Sequence, residues 1–207
     1  MLTRAEAIAL LCAGAIVFAW SAWQPFDRLT WFLEIAPILV ALPILFGTAK
    51  RFPLTPLVYR LILLHAIVLM IGGRYTYARV PAGFWVEHAL DLARNPYDRL
   101  GHVVQGFVPA IIAREILLRA TPLKPGGWLF TIVVAIAMSI SVCYEFIEWW
   151  TALATGTGAT DFLGTQGDVW DTQWDMFCAT LGAIAAQLLL ARAHNRALVR
   201  LGLPAKA

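Results

Sequence analysis

Charge is scarce in this sequence. Charged residues make up 14% of the 207 residues and hydrophobic residues 60%, whereas a typical soluble domain has about 25% and roughly 45–50%. So few charges could not cover a soluble fold of this size, which excludes an ordinary soluble protein. The mean hydropathy of +0.70 points to a lipid bilayer as the solvent. Spans of about 20 residues each would occupy most of the chain and leave no room for a separate soluble domain.

Cysteine is rare as well, and the common catalytic signatures are absent. The three cysteines, Cys12, Cys143 and Cys178, lie in apolar runs without a CxxC pair, so we expect small buried side chains and no redox role. There is no Walker loop, dinucleotide glycine fingerprint, HExxH or serine nucleophile elbow. The net charge of +3 is what cytoplasmic Lys and Arg of a membrane protein require, so no nucleic-acid partner is predicted.

What the sequence does contain is a series of long apolar segments. They predict an all-α, single-domain transmembrane bundle of about six spans, over residues 5–23, 31–46, 57–73, 98–118, 127–153 and 169–193. Residues 74–97 are less apolar and predict an external loop with an interfacial helix. Lys and Arg are more frequent on the side that carries both ends of the chain, so both termini are predicted to be cytoplasmic.

Tryptophan is distributed unevenly. Of nine tryptophans, only Trp128 falls at a predicted inner helix end. The others could form an aromatic belt, or some could wall a headgroup or sugar site on the outer face, and both interpretations stay open. Trp149, Trp170 and Trp174 are the candidate substrate contacts.

Ionisable residues inside the spans are costly in lipid, so each is a functional candidate. Here they recur at intervals of three and four, on one face of each helix. The predicted topology brings all three sets to the same level of the outer leaflet, where they would line a shallow pocket that opens outward. The sets are Asp98 with His102, Glu145 with Glu148, and Asp168 with Asp171 and Asp175.

Carboxylates around one histidine suit a hard divalent cation such as Mg²⁺, Mn²⁺ or Ca²⁺, whereas zinc would need more His or Cys. Without a cation, crowded carboxylates hold protons and can serve as general acid or base. Arg99, with Arg74, Arg79 or Arg94, could bind a phosphate. The candidate catalytic residues are Asp98, His102, Glu145, Asp171 and Asp175, and the candidate metal ligands are Glu145, Glu148, Asp168, Asp171 and Asp175.

Three classes of function stay open. The site suits a metal-assisted or acid–base enzyme acting on an envelope lipid or lipid-linked glycan. An ion- or proton-coupled transporter uses intramembrane acids too, and a non-catalytic accessory protein could bind a headgroup there. In every case membrane lipids are the expected partners. Near the inner ends, Arg114 and Glu115 are expected to snorkel or to pair with neighbours, and His194 carries no functional signal.

Three strings of residues resemble the YjdF family of bacterial inner-membrane proteins. They are Asn95–Gly106, Tyr144–Trp150 and Asp161–Phe177. The resemblance covers most of the chain, and it implies an inner-membrane location and a multi-pass topology without implying an activity.

The last three spans are also similar, more distantly, to the VanZ-like membrane proteins associated with glycopeptide resistance. The spacing from Asp98 to His102 matches their Asp-Lys-x-x-His pattern with Arg99 in place of Lys. Glu148 stands where that pattern has Gln and Asp175 where it has Asn. These two additional carboxylates favour cation binding and set this chain apart from VanZ function.

Overall fold

The computed structural model describes residues 2–156 and 163–202, and within these ranges every regular element is helical. Asp161 and Phe162 of the third string, and residues 157–162 of the last predicted external loop, lie outside the described part. A 3₁₀ turn, Tyr77–Arg79, connects the third helix to the fourth. The helices are α1 (Arg4–Ala22), α2 (Arg28–Thr48), α3 (Pro56–Tyr75), α4 (Pro81–Leu90), α5 (Tyr97–Ala120), α6 (Gly127–Thr155) and α7 (Asp171–Arg200).

Local sequence explains where the first three helices begin. The side chains of Thr3, Asp27 and Thr55 each accept a hydrogen bond from a backbone N–H in the first turn. Because Asp27 caps α2, this helix begins three residues before the predicted span. Pro37 and Pro43 both lie inside this helix of 21 residues. Membrane helices tolerate such prolines where neighbouring groups satisfy the freed carbonyls.

The predicted all-helical bundle is confirmed. Five of the described helices, α1, α2, α3, α6 and α7, are long and apolar enough to cross a membrane. The remaining predicted span is α5, whose 24 residues give a length of about 36 Å. It packs against α3, α6 and α7 and buries Asp98, Arg114 and Glu115 inside the bundle, and these charged residues account for its lower hydropathy. Helix α4 occupies the segment in which an interfacial helix was predicted.

The outward faces of the helices are apolar. Ile16, Val40 and Leu188 are 69%, 62% and 71% exposed, as expected of side chains that face lipid. Cys12 and Cys143 also lie on this exposed surface, so the prediction that they are buried is wrong. A cysteine is small and apolar enough to face lipid as well as a protein interior.

Glycines allow α5 and α7 to approach closely. A Cβ on Gly106 would lie 1.8 Å from the carbonyl oxygen of Ala179, and one on Gly182 would lie 2.0 Å from that of Val103. Small residues permit such backbone contact between membrane helices. The contact brings the polar faces of the two helices together at one end of the bundle.

An apolar layer lies between the two ends of the bundle. Val108, Ala110, Ile111, Val133 and Ala183 are all fully buried within it. The buried charged side chains of these helices therefore form two separate groups, one at the end where α5 and α7 begin and one where they finish. Between them the buried amide of Gln187 donates to the Phe130 carbonyl.

The polar group at the C-terminal ends of α5 and α7 is a network of charged side chains that hydrogen-bond to one another. Glu115 accepts hydrogen bonds from Thr55, Arg119 (2.7 Å) and His194 (3.0 Å). Arg114 donates to Nδ1 of His194 at 2.8 Å, which leaves Nε2 of this imidazole as the donor to Glu115. No functional role was expected of His194, and the structure gives it a structural one, because it is fully buried and links α5 to α7.

Candidate functional site

The other polar group collects residues from three helices around one histidine. Nε2 of His102 lies 3.7 Å from Asp98 Oδ1, 4.0 Å from Glu145 Oε1 and 3.9 Å from Asp175 Oδ2. All four side chains are at most 10% exposed. Helices α5, α6 and α7 therefore bring the predicted acids and the predicted histidine together.

The other nitrogen of the His102 ring is held by α5 itself. Nδ1 lies 2.9 Å from Oε1 of Gln105, one turn further along the helix. Because an amide oxygen only accepts, Nδ1 is the donor in this contact, and in a neutral ring Nε2 then presents a lone pair. That lone pair faces three carboxylate oxygens. Such an arrangement of acceptors is unfavourable unless a proton or a metal cation lies between them.

Two oxygens of the site have no hydrogen-bond partner. They are Oε1 of Glu145 and Oδ1 of Asp175, and both are buried. Two sets of side chains have ligand atoms within 4.8 Å of one another, one formed by Asp98, His102 and Asp175 and the other by His102, Glu145 and Glu148. The shared histidine makes these sets two parts of one site that is suited to a cation.

Arg94, in the segment before α5, compensates part of this negative charge. It donates to Asp171, and its Nη2 lies 3.1 Å from Asp98 Oδ2 and 3.1 Å from the Gly164 carbonyl. Burial alone would lower the pKa of Arg94, but the hydrogen-bonded Asp171 carboxylate and nearby Asp98 raise it above its ordinary value. The guanidinium therefore stays charged and pairs with Asp171.

Asp168 lies at the edge of the site. Its Oδ2 accepts a hydrogen bond from Arg99 at 2.8 Å, and its Oδ1 accepts one from the Trp170 backbone at 2.9 Å. Of the predicted metal ligands, Asp168 and Asp171 thus form ion pairs with arginines, while Glu145, Glu148 and Asp175 have ligand atoms close to His102.

Two of the predicted substrate residues, Arg99 and Trp174, lie at this edge. The Arg99 guanidinium lies over the Trp174 ring, 5.1 Å from its centroid, and its side chain is 32% exposed. Trp149 and Trp170 are more than half exposed. By contrast, Arg74 bonds to the backbone carbonyls of Trp20 and Trp23 at the C-terminal end of α1, and Arg79 packs over Phe26.

Paired amides hold the segment before α7 against the segment before α5. The Asn95 backbone N–H donates to Gln166 Oε1, and Gln166 Nε2 donates back to the Asn95 carbonyl, both at 3.0 Å. The side chain of Asn95 also bonds to the Val80 carbonyl at the start of α4. These bonds keep residues 164–168 beside Asp98 and Arg94.

Three residues of the site were missed from the sequence. Glu34 on α2 and Tyr144 on α6 are joined by a 3.0 Å hydrogen bond from the tyrosine hydroxyl, and Gln105 orients His102. Together with Asp98, His102, Glu148 and Tyr77 they line a cavity of about 20 Å³. Glu34 could have been found, because it is an acid inside a predicted span.

Comparison with known proteins identifies the family. The family described as "Predicted membrane protein (DUF2238)" matches residues 6–196. The chain is 54% identical over 188 residues to "Inner membrane protein YjdF" of Escherichia coli (strain K12), and the match covers 91% of this chain and 90% of the relative. No solved structure gives a significant match. These matches, together with the apolar helices, show that the chain is a multi-pass inner-membrane protein that belongs to the DUF2238 family of membrane proteins.

Proposed function

We propose that this protein binds a divalent cation between α5, α6 and α7 and uses it in hydrolysis or group transfer on a phosphate-bearing envelope lipid or lipid-linked glycan. The observation that carries the proposal is the position of His102 Nε2, whose lone pair faces oxygens of Asp98, Glu145 and Asp175 at 3.7–4.0 Å. A cation drawn into this gap would bind all four groups. It would also remove the repulsion between them.

The donor set favours Mn²⁺ among the three predicted cations. One imidazole and several carboxylates form a mixed nitrogen and oxygen set, whereas Mg²⁺ and Ca²⁺ prefer oxygen alone. Carboxylate sites built inside helical bundles from Glu and His side chains commonly hold manganese or iron. The cavity of about 20 Å³ beside His102 has room for one water molecule next to the cation.

The chemical role of each group follows from its distance from the proposed cation. The cation would polarise a phosphate oxygen, and a carboxylate near it would accept the proton of the attacking hydroxyl. Arg99 and Trp174, at the exposed edge, are placed to bind the phosphate and the headgroup. With the predicted topology, this edge faces the outer leaflet.

The apolar layer favours an enzyme over a carrier. A coupled carrier needs ionisable groups along a path through the membrane, whereas Val108, Ile111 and Ala183 are fully buried between the two polar groups. The polar Gln187 on α7 is an uncharged amide that bonds to the Phe130 carbonyl. A site that ends at this layer can take a substrate from one leaflet and return the product to the same leaflet.

Comparison of envelope lipids tests the proposal. A deletion strain is complemented with the wild-type gene, with Asp175→Asn or Glu145→Gln, and with Asp91→Asn as the matched control, because Asp91 is exposed. We expect one lipid or lipid-linked glycan to accumulate in the deletion strain. Wild type and the control should clear it, while both site variants insert normally and fail to clear it. Full rescue by both site variants would overturn the proposal, and an unchanged lipid profile in the deletion strain would instead favour a non-catalytic accessory protein.

A further inference from the structure

A groove lies between the end of α1 and the beginning of α2. It has a volume of about 290 Å³ and is lined by Ala22, Pro25, Arg28, Trp31 and Phe32. None of these residues lines the cavity beside His102, so the groove is a separate feature of the molecule. Because it lies where two membrane-spanning helices meet the end of the bundle, it is at the level of lipid headgroups.

Hydrogen bonds hold the walls of the groove in place. Trp31 Nε1 donates to the hydroxyl of the buried Ser21 at 3.1 Å, which joins α2 to α1. The Phe26 backbone N–H donates to the Arg74 carbonyl at 2.8 Å, and the Arg74 guanidinium donates to the Trp23 carbonyl. These bonds tie the connection between α1 and α2 to the end of α3. The groove is therefore formed before any ligand binds, as is usual for binding sites of small molecules.

Arg28 gives the groove its only charge. The residue is exposed, and none of the ion pairs within residues 2–156 and 163–202 includes it. The neighbouring acid, Asp27, caps α2 instead, because its Oδ1 accepts a 2.7 Å hydrogen bond from the Thr30 backbone N–H. A guanidinium without an ion pair at this level is matched best by a phosphate, which accepts two of its hydrogen bonds.

The face of α2 that follows Arg28 is apolar. Phe32 lies one turn further along the helix, about 6 Å deeper in the membrane, and is 54% exposed. Leu39, seven residues beyond Phe32, lies on the same face and is also exposed. A positive charge at the end of the helix with an apolar face beneath it matches the headgroup phosphate and the acyl chain of one phospholipid molecule.

We propose that this groove binds an anionic phospholipid, whose phosphate pairs with Arg28 and whose acyl chain lies along Phe32. Charge complementarity favours this occupant. A soluble anion would leave the apolar walls in contact with water, and a zwitterionic lipid carries a cation of its own that weakens its attraction to Arg28. The inference goes beyond the proposed function and does not depend on it, since the groove shares no residue with the candidate cation site.

Native mass spectrometry of the purified full-length protein in detergent tests the inference. The protein is titrated with dioleoylphosphatidylglycerol, which is anionic, or with dioleoylphosphatidylcholine, which is zwitterionic. We expect wild type to bind one phosphatidylglycerol in preference to phosphatidylcholine, and Arg28→Gln to bind it about tenfold more weakly. Phe32→Ala should weaken binding as well, because the acyl chain loses a contact. Arg51→Gln is the matched control, because Arg51 is exposed beyond the other end of α2, and it should bind like wild type.

Several results would overturn the inference. They are equal binding of phosphatidylglycerol by Arg28→Gln and wild type, an equally large loss in Arg51→Gln, and displacement of the lipid by inorganic phosphate, which would show that the acyl chain adds nothing. A wild-type dimer that is lost in Arg28→Gln would assign the groove to a second copy of the chain and would overturn it too. Each of these results leaves Mn²⁺ binding at His102 to be judged by its own titration.

Discussion

His102 and Gln105 form a buried hydrogen bond of 2.9 Å within α5. The bond fixes the ring orientation and determines which nitrogen presents its lone pair to Asp98, Glu145 and Asp175. Hydrogen bonds of this kind commonly orient the histidine ligands of metal sites. Gln105 would therefore control cation binding without contacting the cation.

Replacement of Gln105 tests this relationship. We expect Gln105→Leu to weaken Mn²⁺ binding by about 10–100-fold, because the ring loses its orienting partner. Gln105→Glu keeps an acceptor and should retain binding close to wild type. Isothermal titration calorimetry measures both. Equal affinities for Gln105→Leu and wild type would show that the hydrogen bond does not prepare a metal ligand.

Because α5 and α7 are in close contact at Gly106, we predict that one added methyl group there has a strong effect on stability. A Cβ on Gly106 would lie 1.8 Å from the Ala179 carbonyl oxygen, so Gly106→Ala must separate the helices and destabilise the protein by about 1–3 kcal/mol or more. Gly47 on α2 has no atom within 4 Å of its Cβ position, which makes Gly47→Ala the matched control, with stability unchanged or up to about 1 kcal/mol higher. Thermal unfolding in detergent compares the two, and similar midpoints would contradict the predicted contact.

Arg94 is predicted to be the main cationic support of the site. Arg94→Met leaves Asp98 and Asp171 without their guanidinium partner, and removal of one member of a buried ion pair costs about 3–5 kcal/mol. Arg94→Lys should be intermediate, because an ammonium cannot bridge the same acceptors. Arg196 is exposed on α7, and Arg196→Met should have little effect on thermal unfolding. An unaltered midpoint for Arg94→Met would count against this assignment.

The network around Glu115 is predicted to stabilise the fold without taking part in the site. Glu115→Leu leaves Thr55, Arg119 and His194 without their shared acceptor, so we expect a loss of about 3–5 kcal/mol. Because the apolar layer separates this network from His102, the Mn²⁺ stoichiometry of the folded variant should equal that of wild type. Loss of Mn²⁺ binding in correctly folded Glu115→Leu would contradict the separation of the two polar groups.

Much of the fold could be predicted from hydropathy alone, because lipid requires continuous helices with apolar outward faces. All six predicted spans correspond to helices. The boundaries were less predictable at the last helix, which continues to Arg200 instead of ending at residue 193, since basic residues extend a helix beyond the apolar segment. The orientation of the termini stays a prediction based on the positive-inside pattern.

The site was predictable where acids recur in helical register. The spacings of Asp98 with His102 and Glu145 with Glu148 indicated which faces would meet. Isolated residues had no such pattern, so Glu34 escaped notice although it lies inside a predicted span. The partners of a lone intramembrane acid depend on packing between helices distant in sequence, and the contact of Glu34 with Tyr144 joins residues 110 positions apart.

The His194 network illustrates the same limit. A histidine within a basic segment gives no periodic signal, and its burial becomes apparent only when α5 and α7 are packed together.

The similarity of the last three spans to VanZ-like proteins stays a prediction, because it concerns the pattern of acids and not their partners.

The most direct test of the proposed cation site is a titration of metal-free purified protein with Mn²⁺, followed by the electron paramagnetic resonance signal of the free ion. We predict saturable binding by wild type and by Asp91→Asn, and strongly weakened binding by Asp175→Asn and Glu145→Gln. Affinity should rise with pH, because the cation displaces protons from the carboxylates. Indistinguishable titrations of wild type and Asp175→Asn would contradict the proposed site.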